Sequence, residues 1–229
     1  MTHKKGRDWE PELWAHLSRS DGRHCPIHDD CKLTQRGRWC FSDNLDEFTR
    51  LISLERFSSI DMLLSKVKGR KHCRIFQLVE MLAEDYLEKA KINSPPVPAD
   101  ILSVLDEQCT VEVREVPLKA YHGAIWRLNE AWIIQLKDTD GPAEKRFSLF
   151  HEGFHILAHS RGTPVFKKAG AAEGSFNELL ADYFAACVLM PGQWVKEKWP
   201  EVRDPDVMAK LFDVPKSAMR LRLSVIGLV

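Results

Sequence analysis

Histidine, glutamate, two spacers and a second histidine follow one another at His151-Glu152-Gly153-Phe154-His155, inside the apolar run Phe147 to Ala158. On a helix, side chains four residues apart lie one above the other, with Cβ atoms roughly 5–6 Å apart. Both imidazoles can then reach one Zn²⁺ at about 2.0–2.1 Å. Glu152 leans to the side of such an ion, where it can take a proton from a water that the ion activates. These residue types at this spacing suit metal-dependent hydrolysis, above all of peptide bonds.

A catalytic zinc takes three protein ligands and keeps a fourth position open. Downstream of the motif, His159, Glu173, Glu178 and Asp182 can supply the third. The stretch Phe176 to Met190 has helical apolar spacing, which sets Glu178 and Asp182 one turn apart on one face. Glu178 is expected to bind the metal. Asp182 is expected to accept the far N–H of a ligand histidine and fix its tautomer. His159 continues the face of His155, and a third ligand there cannot close easily around the same ion. Metzincins solve that by turning the chain at a glycine before their third histidine. Here Ala158 stands at the glycine position and Arg161 at the histidine position, so His159 is expected beside the site or at the helix end. Tyr121, His122 and Tyr183 are the candidates for a donor that stabilises an oxyanion.

The block Arg146 to His159 resembles the ImmA/IrrE family of metallopeptidases. The block Glu178 to Pro191, with its Ala-Ala and Met-Pro ending, is similar to that family's second helix, and Met208 to Leu223 looks like its closing helices. The resemblance runs from about Ser94 to Val229. It implies His151, His155 and Glu178 as zinc ligands and Glu152 as general base. Members often carry Asn where Asp182 stands, and either side chain can accept a histidine N–H. The resemblance also implies a substrate class: a partner repressor with a helix-turn-helix domain, whose cleavage releases stress, mobile-element or defence genes.

The elements that must position these residues can be read from periodicity. Cys109 to Val116 alternates as a strand. Tyr121 to Arg127 and Trp132 to Leu136 form a hairpin around Leu128-Asn129-Glu130. The expectation is an α+β zinc-peptidase fold, with a three-stranded, mainly antiparallel sheet on the metal-binding helices. Cys109 enters that sheet, and a thiolate there could occupy the fourth zinc position as a latch. Cys187 should face the core.

Upstream, helices are expected over Asn44 to Lys68, Lys71 to Ile92 and, after Ser94-Pro95-Pro96-Val97-Pro98, Ala99 to Gln108. The proline segment marks the expected boundary between a mainly helical region, 1–93, and the peptidase domain, 94–229. Within the first region Cys25, Cys31 and Cys40 stand close to His24 and His28. That is a candidate structural zinc site, with His28 or His24 as the fourth ligand. Lys66, Lys68, Arg70, Lys71 and Arg74 form a basic cluster of the kind that contacts nucleic-acid phosphates. DNA, or single-stranded DNA, is thus a candidate activator.

The 229 residues carry 33 basic and 33 acidic side chains, so no global charge drives the chain to nucleic acid or membrane. No apolar run approaches the roughly 18–20 residues of a membrane span. The charged start leads into no signal region, and cytoplasmic residence is the expectation. A second class stays open: a DNA-binding or partner-binding regulatory module with a vestigial metal site, in which Met208 to Leu223 serves as a helix-turn-helix.

Overall fold

A computed structural model describes residues 74–104, 109–119, 121–158 and 176–229. They form helix α1 (Arg74–Lys89), a 3₁₀ turn (Ala99–Val104), strands β1 (Thr110–Val116), β2 (Gly123–Leu128) and β3 (Ala131–Lys137), and then five helices. These are α2 (Pro142–Ala158), α3 (Phe176–Leu189), α4 (Gly192–Val202), α5 (Pro205–Phe212) and α6 (Lys216–Val225). The class is α+β.

β3 is the central strand, in the order β1-β3-β2. Trp132, Ile133, Ile134 and Leu136 are all buried, as expected for a strand covered on both faces. The β2–β3 hairpin is antiparallel, and Asn129 takes the left-handed φ of 54° that its turn requires. β1 pairs with β3 in parallel, Thr110 opposite Ala131 through Val116 opposite Lys137. The sheet is therefore mixed rather than mainly antiparallel. Alternation marks a strand but not the direction of its partner, and β1 lays itself on β3 across the intervening β2.

α2 starts on Pro142, whose missing N–H costs nothing at a helix N-terminus. From Phe147 to Ile156 every residue on it is buried. The reason is its place in the middle of the molecule, with β2 and β3 on one side and α3 on the other. Phe150 and Phe154 fill the space between, and Phe154 meets Phe184 of α3 at 5.6 Å between ring centroids.

α1 packs on α3, and Ile75, Leu78, Val79, Leu82 and Tyr86 join the same core. The Tyr86 hydroxyl donates to the Ile101 carbonyl at 2.5 Å. The proline segment, with a cis Pro95–Pro96 bond, thus links two parts of one core. α1 lies on the peptidase side of the expected boundary in packing, although it precedes that boundary in sequence.

Candidate metal centre

α2 and α3 cross so that their polar residues meet at one point. His151 and His155 project from α2 with Nε2 atoms 3.4 Å apart. Glu178, in the first turn of α3, reaches across, with Oε2 3.0 Å from His151 Nε2 and Oε1 3.0 Å from His155 Nε2. One ligand atom from each of the three residues lies within 4.8 Å of the others. Ligands about 2.0–2.1 Å from a tetrahedral zinc stand about 3.3 Å from one another. The 3.4 Å between the two Nε2 atoms matches that spacing, with a Glu178 oxygen 3.0 Å from each, and two imidazoles with one carboxylate are one of the donor sets found at catalytic zinc sites.

The supporting contacts are specific. Asp182, one turn after Glu178, places Oδ1 2.7 Å from His151 Nδ1. A proton on Nδ1 would be held there, leaving Nε2 as the lone-pair nitrogen that faces Glu178 and His155. His151, Glu152, His155 and Asp182 are exposed by 7, 8, 3 and 9 %. Burying four ionisable groups so deeply costs free energy unless each charge is compensated, as a divalent cation would do here.

The other candidate residues fall into different surroundings. Glu152 turns from the helix toward the first residue of β2, Gly123. His122, just before Gly123, is held through Nδ1 to Asp140 Oδ2 at 2.6 Å and keeps nearly half its side chain exposed. Tyr121 is half-buried in the same loop. These two candidate donors flank the strand end that Glu152 faces.

Tyr183 lies elsewhere. Its ring stands edge-on to Phe76 of α1, with centroids 4.8 Å apart, and the Arg222 guanidinium sits 5.9 Å from its centre. A rotation of 100° per residue turns it away from Asp182 toward α1 and α6, so it is a member of that cluster instead of an oxyanion donor.

The latch expected of Cys109 is corrected as well. Its thiol accepts from Arg127 Nη2 at 3.3 Å and precedes Thr110, which pairs with Ala131. Gly123, where Glu152 rests, pairs with Leu136 at the opposite end of the sheet. At about 3.3 Å per residue those ends are on the order of 15 Å apart. The thiol cannot cap an ion next to Glu152.

His159, the Cys25, His28, Cys31 and Cys40 cluster with His24, and Lys66, Lys68, Arg70 and Lys71 lie outside the described residues. Arg74 is the first residue of α1.

Residues 106–224, more than half of the chain, match the family model described as the IrrE N-terminal-like domain, a family of peptidases. The chain belongs to that family. Comparison with curated proteins finds none that matches. Among the described residues no helix is long and apolar enough to cross a membrane.

Three residues that brace the elements around the site carry no metal-binding signature. Asp140 steadies His122. Arg222, only 2 % exposed, donates from Nε to the Met190 carbonyl at 2.9 Å and from Nη2 to Glu80 at 3.2 Å, tying α6 to α3 and α1. Gly123 is the third. An isolated glycine inside a strand pattern is the sequence signal that could have found it.

Proposed function

We propose that this chain is a zinc-dependent endopeptidase, with the ion held by His151, His155 and Glu178 and with Glu152 as general base. The convergence of two Nε2 atoms and a carboxylate at 3.0–3.4 Å carries the reading. A bound zinc would lower the pKa of a coordinated water to about 7 and polarise the scissile carbonyl. Glu152 would accept the water's proton and pass it to the leaving amine. Asp182 would keep His151 in the tautomer that presents Nε2. His122 or Tyr121, beside the start of β2, would donate to the oxygen that gains charge. Among the described residues β2 is the edge strand next to Glu152, and an extended substrate segment can add to such an edge through main-chain hydrogen bonds.

The substrate we infer is a partner repressor of the helix-turn-helix type, whose cleavage would release stress, mobile-element or defence genes in the cytoplasm. Family membership supports this reading. DNA, or single-stranded DNA, is the activator we infer, from the cluster Lys66, Lys68, Arg70, Lys71 and Arg74. A second, structural zinc is proposed for Cys25, Cys31 and Cys40 with His28 or His24.

The regulatory-module alternative loses support at the C-terminus. α5 and α6 are joined by a short turn at Asp213, as in a helix-turn-helix. However, α6 buries Ala218, Met219, Leu221, Arg222 and Leu223. Its exposed cations Lys216 and Arg220 both pair with Asp206, at 2.7 and 2.9 Å. A recognition helix needs cations free to meet phosphates, and the two on the exposed face of α6 are engaged by α5.

The test is cleavage of a repressor encoded beside this chain. Zinc-loaded protein should cut it at one site, and Glu152→Gln should keep its zinc while losing about 10²–10⁴-fold in rate. Undiminished cleavage by that variant contradicts the mechanism. Added DNA should raise the rate, and neutralising Lys66, Lys68, Arg70 and Lys71 should remove that effect. A rate indifferent to both contradicts the activator.

A further inference from the structure

Gly123 opens β2, paired with Leu136 of β3. A strand is a poor place for glycine, which loses more conformational freedom there than other residues and has no side chain to pack. Backbone shape does not demand it, since Gly227 is the only glycine with positive φ among the described residues. What stands in front of it does. A Cβ at this position would lie 2.7 Å from Glu152 Oε1, 3.1 Å from its Cγ and 3.3 Å from its Cδ. The carboxylate of Glu152 occupies the volume that any other residue's side chain would fill.

The strand cannot easily retreat. The Lys137 N–H donates to the His122 carbonyl at 3.0 Å, and the His122 ring is tied to Asp140. Glu152 itself rises from a buried stretch of α2 held by Phe150 and Phe154. The movable object in this contact is therefore the carboxylate end of Glu152, not either backbone.

We propose that Gly123 is a positioning residue for Glu152: the missing side chain sets where the carboxylate sits relative to His151 and the edge strand. Its role as an aid to catalysis rests on the peptidase reading above; its control of the carboxylate's position does not.

The experiment pairs Gly123→Ala with Glu152→Asp in the full chain loaded with zinc. A crystal structure of Gly123→Ala should show the Glu152 carboxylate moved by about an ångström, with His151, His155 and Glu178 in place. An unmoved carboxylate overturns the proposal, whether or not the chain is a peptidase. On the repressor substrate, or on unfolded casein if no repressor is cut, Gly123→Ala should lower kcat by up to about 10²-fold with KM and zinc content unchanged, as a misplacement of about 1 Å can do. In the Glu152→Asp background the shorter acid withdraws the oxygen that would stand 2.7 Å from the Cβ, so the same alanine should cost clearly less than in the wild type. Equal losses in both backgrounds, or a displaced carboxylate with wild-type kcat, overturn the catalytic role. Absence of cleavage by the wild type, together with a displaced carboxylate, would sink the peptidase reading and leave the positioning contact standing.

Discussion

Helix α3 carries two polar clusters on nearly opposite faces, and they are built to different ends. One face holds Glu178 and Asp182, turned to His151 and His155. The other holds Tyr183 and Cys187, which meet the guanidinium of Arg222 from α6 and, through it, Glu80 of α1. The second face contains its own permanent cation. Burial opposes that charge, and the Met190 carbonyl and the Glu80 carboxylate, which accept from its guanidinium, hold it in place. On the first face the donor set would take its cation from solution. Buried polar residues are therefore not in themselves a sign of function. The distinction lies in whether lone pairs converge on a point that an ion can occupy.

The largest effect should come from disarming the first face. Glu178→Gln keeps the shape but removes the carboxylate charge. Repressor cleavage should fall by about 10³-fold or more, as expected when a catalytic metal is lost. The second face should hold, with a melting temperature close to that of the apo wild type. Global unfolding of Glu178→Gln would show that the faces are not independent.

Breaking the second face should do the reverse. Arg222→Met removes the bonds to Met190 and Glu80 and should cost about 2–4 kcal/mol in denaturant unfolding. Zinc affinity of the folded protein should stay within about three-fold, because no ligand touches Arg222. A large loss of affinity at undiminished stability would break the comparison.

Asp182→Ala should be milder than loss of a ligand. Residues that orient a ligand histidine typically contribute 10–100-fold in metal affinity, and a drop in that range is expected by competition titration. Unchanged affinity would assign Asp182 to packing alone.

The smallest effect concerns Cys187. Burial pushes its thiol up from 9.0 to about 11, with Arg222 pulling the other way. A raised thiol pKa means the folded state holds the proton that the unfolded chain gives up. Stability should therefore be full below about pH 9 and fall as pH rises toward about 11, by up to ~2–3 kcal/mol. Cys187→Ala removes that slope, and the difference between the two pH curves isolates it from the tyrosines. Parallel curves would place the thiol in contact with water.

Much of this was legible in the sequence where the signal is local. The i, i+4 spacing of His151 and His155 and of Glu178 and Asp182 needs only a helix to set each pair on one face. The hairpin could be read because its strands are adjacent and its turn carries Asn129. What stayed hidden depends on contacts between distant segments. The parallel β1–β3 pairing, the distance of Cys109 from Glu152 and the orientation of Tyr183 toward Arg222 all follow from how elements stack. α1 likewise joins a core from the far side of a proline segment that reads as a boundary. Gly123 is instructive because its signal, a glycine in a strand, was visible while its cause was not. Only the fold brings Glu152 against it.

The central claim is that the first face of α3 and the two α2 histidines form a single zinc site. An anomalous difference map at the zinc absorption edge, from crystals of the zinc-loaded chain, tests it most directly. A peak is expected within about 2.3 Å of His151 Nε2, His155 Nε2 and a Glu178 carboxylate oxygen. An empty map at that point, or an ion bound by other residues with Glu178 turned away, would contradict it.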